Sequence, residues 1–303
     1  MGHDHRHAPE PRAGARFRGR LLIAFLLAGA FMLVEFGTAL ATRSLVLLSD
    51  AGHMLTDTVG LGLALAAIGA ATTASAGRGR RTFGLYRLEV LAALANALLL
   101  FGVAGYVLWQ AVRRLGEPLA VPTTPMLIVA IIGLALNLVS YRLLRPGAAE
   151  NINVRGAAAE VLTDAVGSAA VLVAAVLIRL TGADWIDPVF AIALGLWILP
   201  RAARLAGQAL RVLVQAAPPH VDLPKLRTDL AALPGVIDVH DLHVWTLTSE
   251  MEVATAHLKV ASAADTHRVL VAARIMLWDR HRLEHATLQV EPADHVGCEE
   301  VGW

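Results

Sequence analysis

A single cysteine, Cys298, stands in the whole chain. No disulfide can form within it, which is consistent with a reducing compartment. Net charge is scarce too, at +1 over 303 residues. No basic patch with interleaved aromatics appears, so no nucleic-acid partner is expected. Nothing resembles a nucleophile beside its base, a phosphate-cradling loop or a redox motif. An enzyme is therefore not expected, and no cofactor is called for. The N-terminal stretch MGHDHRHAPEPRAGARFRGR is polar and lacks a small-residue cleavage site before the first apolar run. That run is expected to be a retained membrane helix and not a cleaved signal.

What the chain has is apolar length. It is 56% apolar and 17% charged, and the charge is uneven. Long apolar runs dominate from Leu21 to Leu199, while ordinary globular composition follows Arg211. The expected organisation is a polar tail at 1–19, a transmembrane domain at 20–211, a soluble domain at 212–292 and a tail at 293–303. A membrane span needs about 20 mainly apolar residues. Six stretches meet or approach this: Leu21–Leu40, Ser44–Ala70, Leu88–Val112, Met126–Leu144, Ala157–Leu180 and Trp185–Leu199. The last is short and reaches full length only by beginning earlier or running on past Pro200. A tight turn around Thr42–Arg43 makes the first two an antiparallel hairpin.

Arginines orient the spans. Arg12, Arg16, Arg18, Arg20, Arg78, Arg80, Arg81, Arg87, Arg142, Arg145 and Arg155 fall on one side; Arg43, Arg113, Arg114 and Arg179 fall on the other. Both termini and the soluble domain are therefore expected in the cytoplasm, and the lean, Ala/Leu/Arg-rich chain suggests a bacterial cytoplasmic membrane. In the soluble part, helix patterns at Leu223–Leu233 and Ser262–Asp279 alternate with strand patterns at Val236–Thr248, Met251–Val260 and Ala286–Glu291. Ser262 or Asp265 would cap the second helix. The order α-β-β-α-β predicts helices packed on one small sheet.

Polar groups inside the apolar runs carry the chemistry. His53 and Asp57 stand one helical turn apart on one face, with Asp50 one turn below. Glu160 and Asp164 repeat the i,i+4 spacing in the fifth run. Ionisable groups at membrane depth face a bundle interior or an aqueous path, not lipid. Two such pairs make a four-ligand metal site of one imidazole and three carboxylates, a donor set that suits Zn²⁺. All four bind metal deprotonated, so metal and protons exchange at the same atoms. Glu35 lies deep enough in the first span for an ion-path or proton-relay role. Glu89 and Asp187 lie near helix ends, where solvation is easy, and Asn137 suits a hydrogen bond between helices. His240 and His243, three apart on a strand, are expected on opposite sides of it.

The segments SLVLLSDAGHMLTD, RTFGLYRLEVLAAL, EVLTDAVGSAAVL, DPVFAIALGLWILPRAARL and VHDLHVWTLTSEMEVATAHLKV resemble the cation diffusion facilitator family, its zinc-exporter branch in particular. The similarity runs from Arg20 to Pro292 in order and spacing. It implies six transmembrane helices, a cytoplasmic ferredoxin-like domain and a homodimer. It also implies export of Zn²⁺, as substrate and potential regulator, in exchange for protons. The family's transport site falls on His53, Asp57, Glu160 and Asp164, with Glu160 where zinc exporters carry histidine; an oxygen there favours harder ions such as Mn²⁺, Fe²⁺ or Co²⁺. A cytoplasmic regulatory site falls on His240, His257, His285 and Glu291, with His243 a further candidate. His3, His5 and His7 would partly replace a histidine-rich loop that other members carry. The alternatives are the same transporter with Mn²⁺, Fe²⁺, Co²⁺ or Cd²⁺ as main cargo, or a membrane metal sensor that moves nothing.

Overall fold

The structure, a computed structural model, describes residues 12–74, 87–116, 119–148, 152–248 and 251–296. His3, His5, His7, Arg78, Arg80, Arg81 and Cys298 lie outside them. Two compact units form, one of Met1–Gly62 with Ala95–Arg204, the other of Leu63–Leu94 with Leu205–Trp303.

Six long helices run through the apolar part of the chain: α1 (Arg12–Thr42), α2 (Leu45–Ala74), α3 (Arg87–Gly116), α4 (Thr123–Ala148), α5 (Ile152–Thr181) and α6 (Ile186–Leu213). Among the described residues, α1, α3, α4, α5 and α6 are long and apolar enough to cross a membrane. The sixth helix does not stop at Leu199. Pro200 removes one backbone donor, yet α6 continues for thirteen more residues to Leu213, as membrane helices tolerate.

Lipid tails give no hydrophobic drive for helix association, so close backbone approach and polar contacts must supply it. Both are present. Gly133 of α4 faces the Phe31 ring of α1, and Gly167 of α5 faces Asp50 Oδ1; a Cβ at either would collide with that neighbour. Asn137 of α4 donates to Ser168 Oγ of α5 at 3.4 Å. The apolar core between these helices contains Phe31, Leu47, Met54, Val107, Met126, Val171 and Ile178.

The α1–α2 turn passes through Arg43 in the left-handed region, at φ 57°. The start of α2 is then capped from a distant helix. Asp187, at the start of α6, accepts from Ser44 Oγ at 2.5 Å, Leu45 N at 2.7 Å and Val46 N at 3.4 Å. It is fully buried. The expectation of an easily solvated helix end fails here, because the first N–H groups of α2 have no partners of their own and take this carboxylate instead. Glu89 accepts a 2.7 Å hydrogen bond from Thr248 Oγ1.

The second unit contains α7 (Leu223–Ala231), β1 (Val236–Thr248), β2 (Met251–Val260), α8 (Thr266–His281) and β3 (His285–Pro292). The sheet order is β1-β2-β3, with β1·β2 antiparallel and β2·β3 parallel. Asp222 caps α7 by accepting from Lys225 N, and Asp265, not Ser262, caps α8 by accepting from Arg268 N. The α8 helix ends at Arg282, φ 59°, where Leu283 N donates back to Leu277 O. Such a left-handed close frees the chain to turn into β3. Alternation along β2 buries Ala254, Ala256, Leu258 and Val260 against Leu226, Leu230, Val269, Ala273 and Leu277 of the two helices. The opposite face of β2 carries Thr255, His257 and Lys259.

Candidate metal centre

In the helical unit, one ligand atom from each of His53, Asp57, Glu160 and Asp164 lies within 4.8 Å of the others. The i,i+4 pair of α2 faces the i,i+4 pair of α5. His53 Nε2 is 3.5 Å from Asp57 Oδ2 and 3.8 Å from Asp164 Oδ1. Ligands held at about 2.0–2.2 Å in a tetrahedron stand about 3.4 Å apart, so these separations close around an ion with small adjustments. His53 and Asp164 are buried, while Asp57 and Glu160 keep some access to solvent. Asp57 Oδ2 and Asp164 Oδ1 are buried without a hydrogen-bond partner. Buried carboxylate oxygens in that condition are costly unless a cation or proton is supplied.

A fifth residue belongs to the cluster and escaped the sequence analysis. Arg201 of α6 places Nη2 3.1 Å from Asp57 Oδ1 and 2.5 Å from Glu160 Oε1. Its Nη1 is 3.4 Å from His53 Nε2. The signal was available only if α6 was carried through Pro200. The sixth apolar stretch is bounded at Leu199 with a continuation past Pro200 left open, and Arg201 is not considered there.

Below the cluster, Glu35 of α1 and Asp50 of α2 are both buried and interact with each other, with Ser168 beside Asp50. Both Glu35 oxygens and Asp50 Oδ2 have no hydrogen-bond partner. Neither residue joins the four-ligand group, which contains only the His53, Asp57, Glu160 and Asp164 atoms.

In the sheet unit a second group forms from His240, His257 and Glu291. His240 and His257 are cross-strand partners, and their rings meet edge to face at 5.3 Å. His240 Nε2 is 3.3 Å from Glu291 Oε2, and His257 Nδ1 is 2.8 Å from Glu291 Oε1. His285 is not part of this group. Parallel pairing sets it opposite Val253, four residues from His257, or roughly 13 Å along the strand.

The expectation for His243 also needs correction. His240 pairs with His257 and His243 with Thr255, so β1 spends one extra residue over the interval. This is a β-bulge, and Asp241, at φ 50°, takes the left-handed backbone it requires. The bulge brings His240 and His243 to one face of the sheet. Yet His243 is half exposed and bonds Asp241 Oδ1 at 2.9 Å, outside the three-residue group. Asp241 Oδ2 lies 3.6 Å from His257 Nε2. The hydrogen bond from His243, helped by charge on His243, His257 and His240, holds the Asp241 carboxyl below the usual carboxylate range.

Membrane-length helices enclosing a histidine–carboxylate cluster, followed by a small α+β unit with a second such cluster, define an integral membrane protein built to handle cations. The cation efflux transmembrane domain matches residues 21–214, and the cytoplasmic domain of cation efflux proteins matches residues 218–293. The chain belongs to the cation efflux family, the cation diffusion facilitators. It is 43% identical to the metal cation efflux system protein CzcD of Cupriavidus metallidurans, over 99% of this chain and 92% of that protein. It is 34% identical to a cadmium, cobalt and zinc/H(+)-K(+) antiporter of Bacillus velezensis, over 97% of this chain and 93% of that one. The zinc transporter ZitB of Escherichia coli is 37% identical, over 96% of this chain and 93% of its own length.

Proposed function

We propose that this protein exports Zn²⁺, or a closely similar divalent ion, from the bacterial cytoplasm in exchange for protons. The observation that carries the proposal is the four-ligand cluster of His53, Asp57, Glu160 and Asp164, built between two long apolar helices. The relatives named as metal efflux protein, antiporter and zinc transporter support the same cargo and direction. Both termini and the sheet unit face the cytoplasm, as the arginine distribution indicates, and the chain acts as a homodimer.

The ligands themselves supply the coupling. Metal reaches the cluster from the cytoplasm and takes the lone pairs that protons would otherwise hold. The bundle rocks, the site opens outward, and protonation of Asp57, Glu160, Asp164 and His53 releases the ion. A polar site enclosed by rocking helices is the usual construction of such transporters. Glu35 and Asp50 form a second acidic step on the route of ions or protons.

The test is metal-driven proton flux out of proteoliposomes loaded with a pH-sensitive dye, with Zn²⁺, Cd²⁺, Mn²⁺, Fe²⁺ or Co²⁺ added outside. Flux is expected to be largest with Zn²⁺ or Cd²⁺. Metal binding without flux for any of these ions would point to a membrane sensor. Glu160→His, measured beside the native chain, is expected to narrow cargo toward Zn²⁺, because imidazole is the softer donor. Cargo preference identical in both would show that the fourth ligand does not choose the metal.

The His240, His257 and Glu291 group is proposed as a regulatory divalent-metal site. Glu291 reaches both imidazoles, so Glu291→Gln is expected to weaken binding to the sheet unit by roughly tenfold or more, while metal-driven flux persists. Complete loss of flux in that variant would make the sheet-unit site part of transport itself.

A further inference from the structure

Arg201 is the one cation placed against the four-ligand cluster among the described residues. It reaches Asp57, Glu160 and His53 at once, at 3.1, 2.5 and 3.4 Å, with only 32% of its side chain exposed. A guanidinium stays protonated in proteins and can only donate hydrogen bonds. Two consequences follow from that chemistry.

The first concerns charge. Asp57, Glu160 and Asp164 together carry −3 when ionised, and Arg201 reduces this to −2. A divalent ion then closes the balance, whereas a monovalent ion leaves one buried charge uncompensated, which is expensive away from water. The second concerns contact. Arg201 Nη2 rests on carboxylates that an ion would coordinate, and Nη1 faces His53 Nε2, where only a lone pair can receive it. An incoming ion and the guanidinium therefore contend for the same three residues.

We propose that Arg201 is a tethered counter-cation of the transport site, which matches the net charge of the site to a divalent ion and promotes release by competing for Asp57 and Glu160. This rests on the transport function proposed above. It makes Arg201 a specificity-determining residue and not a ligand.

The test compares full-length native protein with Arg201→Gln, Arg201→Lys, Glu160→Gln and the double variant Glu160→Gln/Arg201→Gln. Zn²⁺ affinity is measured by calorimetry on the purified proteins, and KM and maximal proton flux in proteoliposomes. Arg201→Gln is expected to bind Zn²⁺ roughly tenfold tighter or more and to turn over roughly tenfold slower, since the opposing charge within a few ångströms is gone. Arg201→Lys keeps the charge and stays near native. Glu160→Gln binds more weakly. The double variant restores −2 and recovers roughly tenfold or more of the affinity lost in Glu160→Gln, a rescue that loss of packing alone would not produce. Native affinity and turnover in Arg201→Gln, or a double variant no closer to native than the single ones, would overturn the proposal. If Arg201→Gln does not fold, the double variant is judged against Glu160→Gln, and an affinity no better than that of Glu160→Gln overturns it. A native chain that moves no metal removes the transport function itself. A native chain that does so beside an indifferent Arg201→Gln removes only the role of Arg201.

Discussion

Asp57→Ala abolishes metal-driven proton flux while the chain still inserts and folds. Asp57 offers a carboxylate oxygen to the four-residue cluster proposed to hold the metal, and its Oδ1 is the contact of Arg201. Alanine removes both and leaves His53, Glu160 and Asp164 facing Arg201. Loss of groups that merely orient metal ligands costs about 10–100-fold in affinity, so loss of a ligand itself is expected to cost at least that. Flux should fall to that of protein-free liposomes at Zn²⁺ concentrations that saturate the native chain. The variant should still be extracted as a single species by size-exclusion chromatography, because Asp57 sits where polar groups burden the fold instead of supporting it. Normal flux from Asp57→Ala would remove the four-ligand cluster from the transport path.

Asp187→Ala should fail in the opposite way, losing the fold before the chemistry. The Asp187 carboxylate satisfies the Ser44 hydroxyl and the Leu45 and Val46 amides at the start of α2. Alanine leaves three buried donors unpaired at the positive end of a helix dipole. Capping losses run to about 0.5–2 kcal/mol, and an unsatisfied buried donor costs about 1–3 kcal/mol. A total of roughly 3 kcal/mol or more is therefore expected, read as a lower midpoint in thermal denaturation in detergent. Asp187→Asn, which keeps one acceptor oxygen on the same frame and puts an NH2 donor in place of the other, should recover about half. Equal midpoints for Asp187→Ala and the native chain would mean that water replaces the carboxylate without cost.

These two residues show how unevenly local pattern speaks. Asp57 announced itself, because a carboxylate four residues from a histidine in an apolar run has few structural uses. Asp187 looked like an ordinary solvated helix start, since nothing in its neighbourhood says that another helix will begin against it. Its partners, Ser44, Leu45 and Val46, lie more than 140 residues away in the chain.

The six apolar helices, the α-β-β-α-β order of the second unit, and the two i,i+4 pairs all followed from sequence. Apolar length, period-2 alternation and helical spacing are local properties, and local geometry converts them directly into faces. Three things were decided by tertiary structure alone. Arg201 entered the cluster because α6 ran on through Pro200, which a hydropathy boundary treats as an end. His240 and His243 came to share a face because one bulge residue, Asp241, reset the alternation. His285 was set apart from His257 because the parallel register of β3 on β2 places it opposite Val253, four residues away. In each case helix length or strand register decided which environment a side chain entered. Such choices are made by packing and pairing between distant segments, where the one-dimensional pattern carries no information.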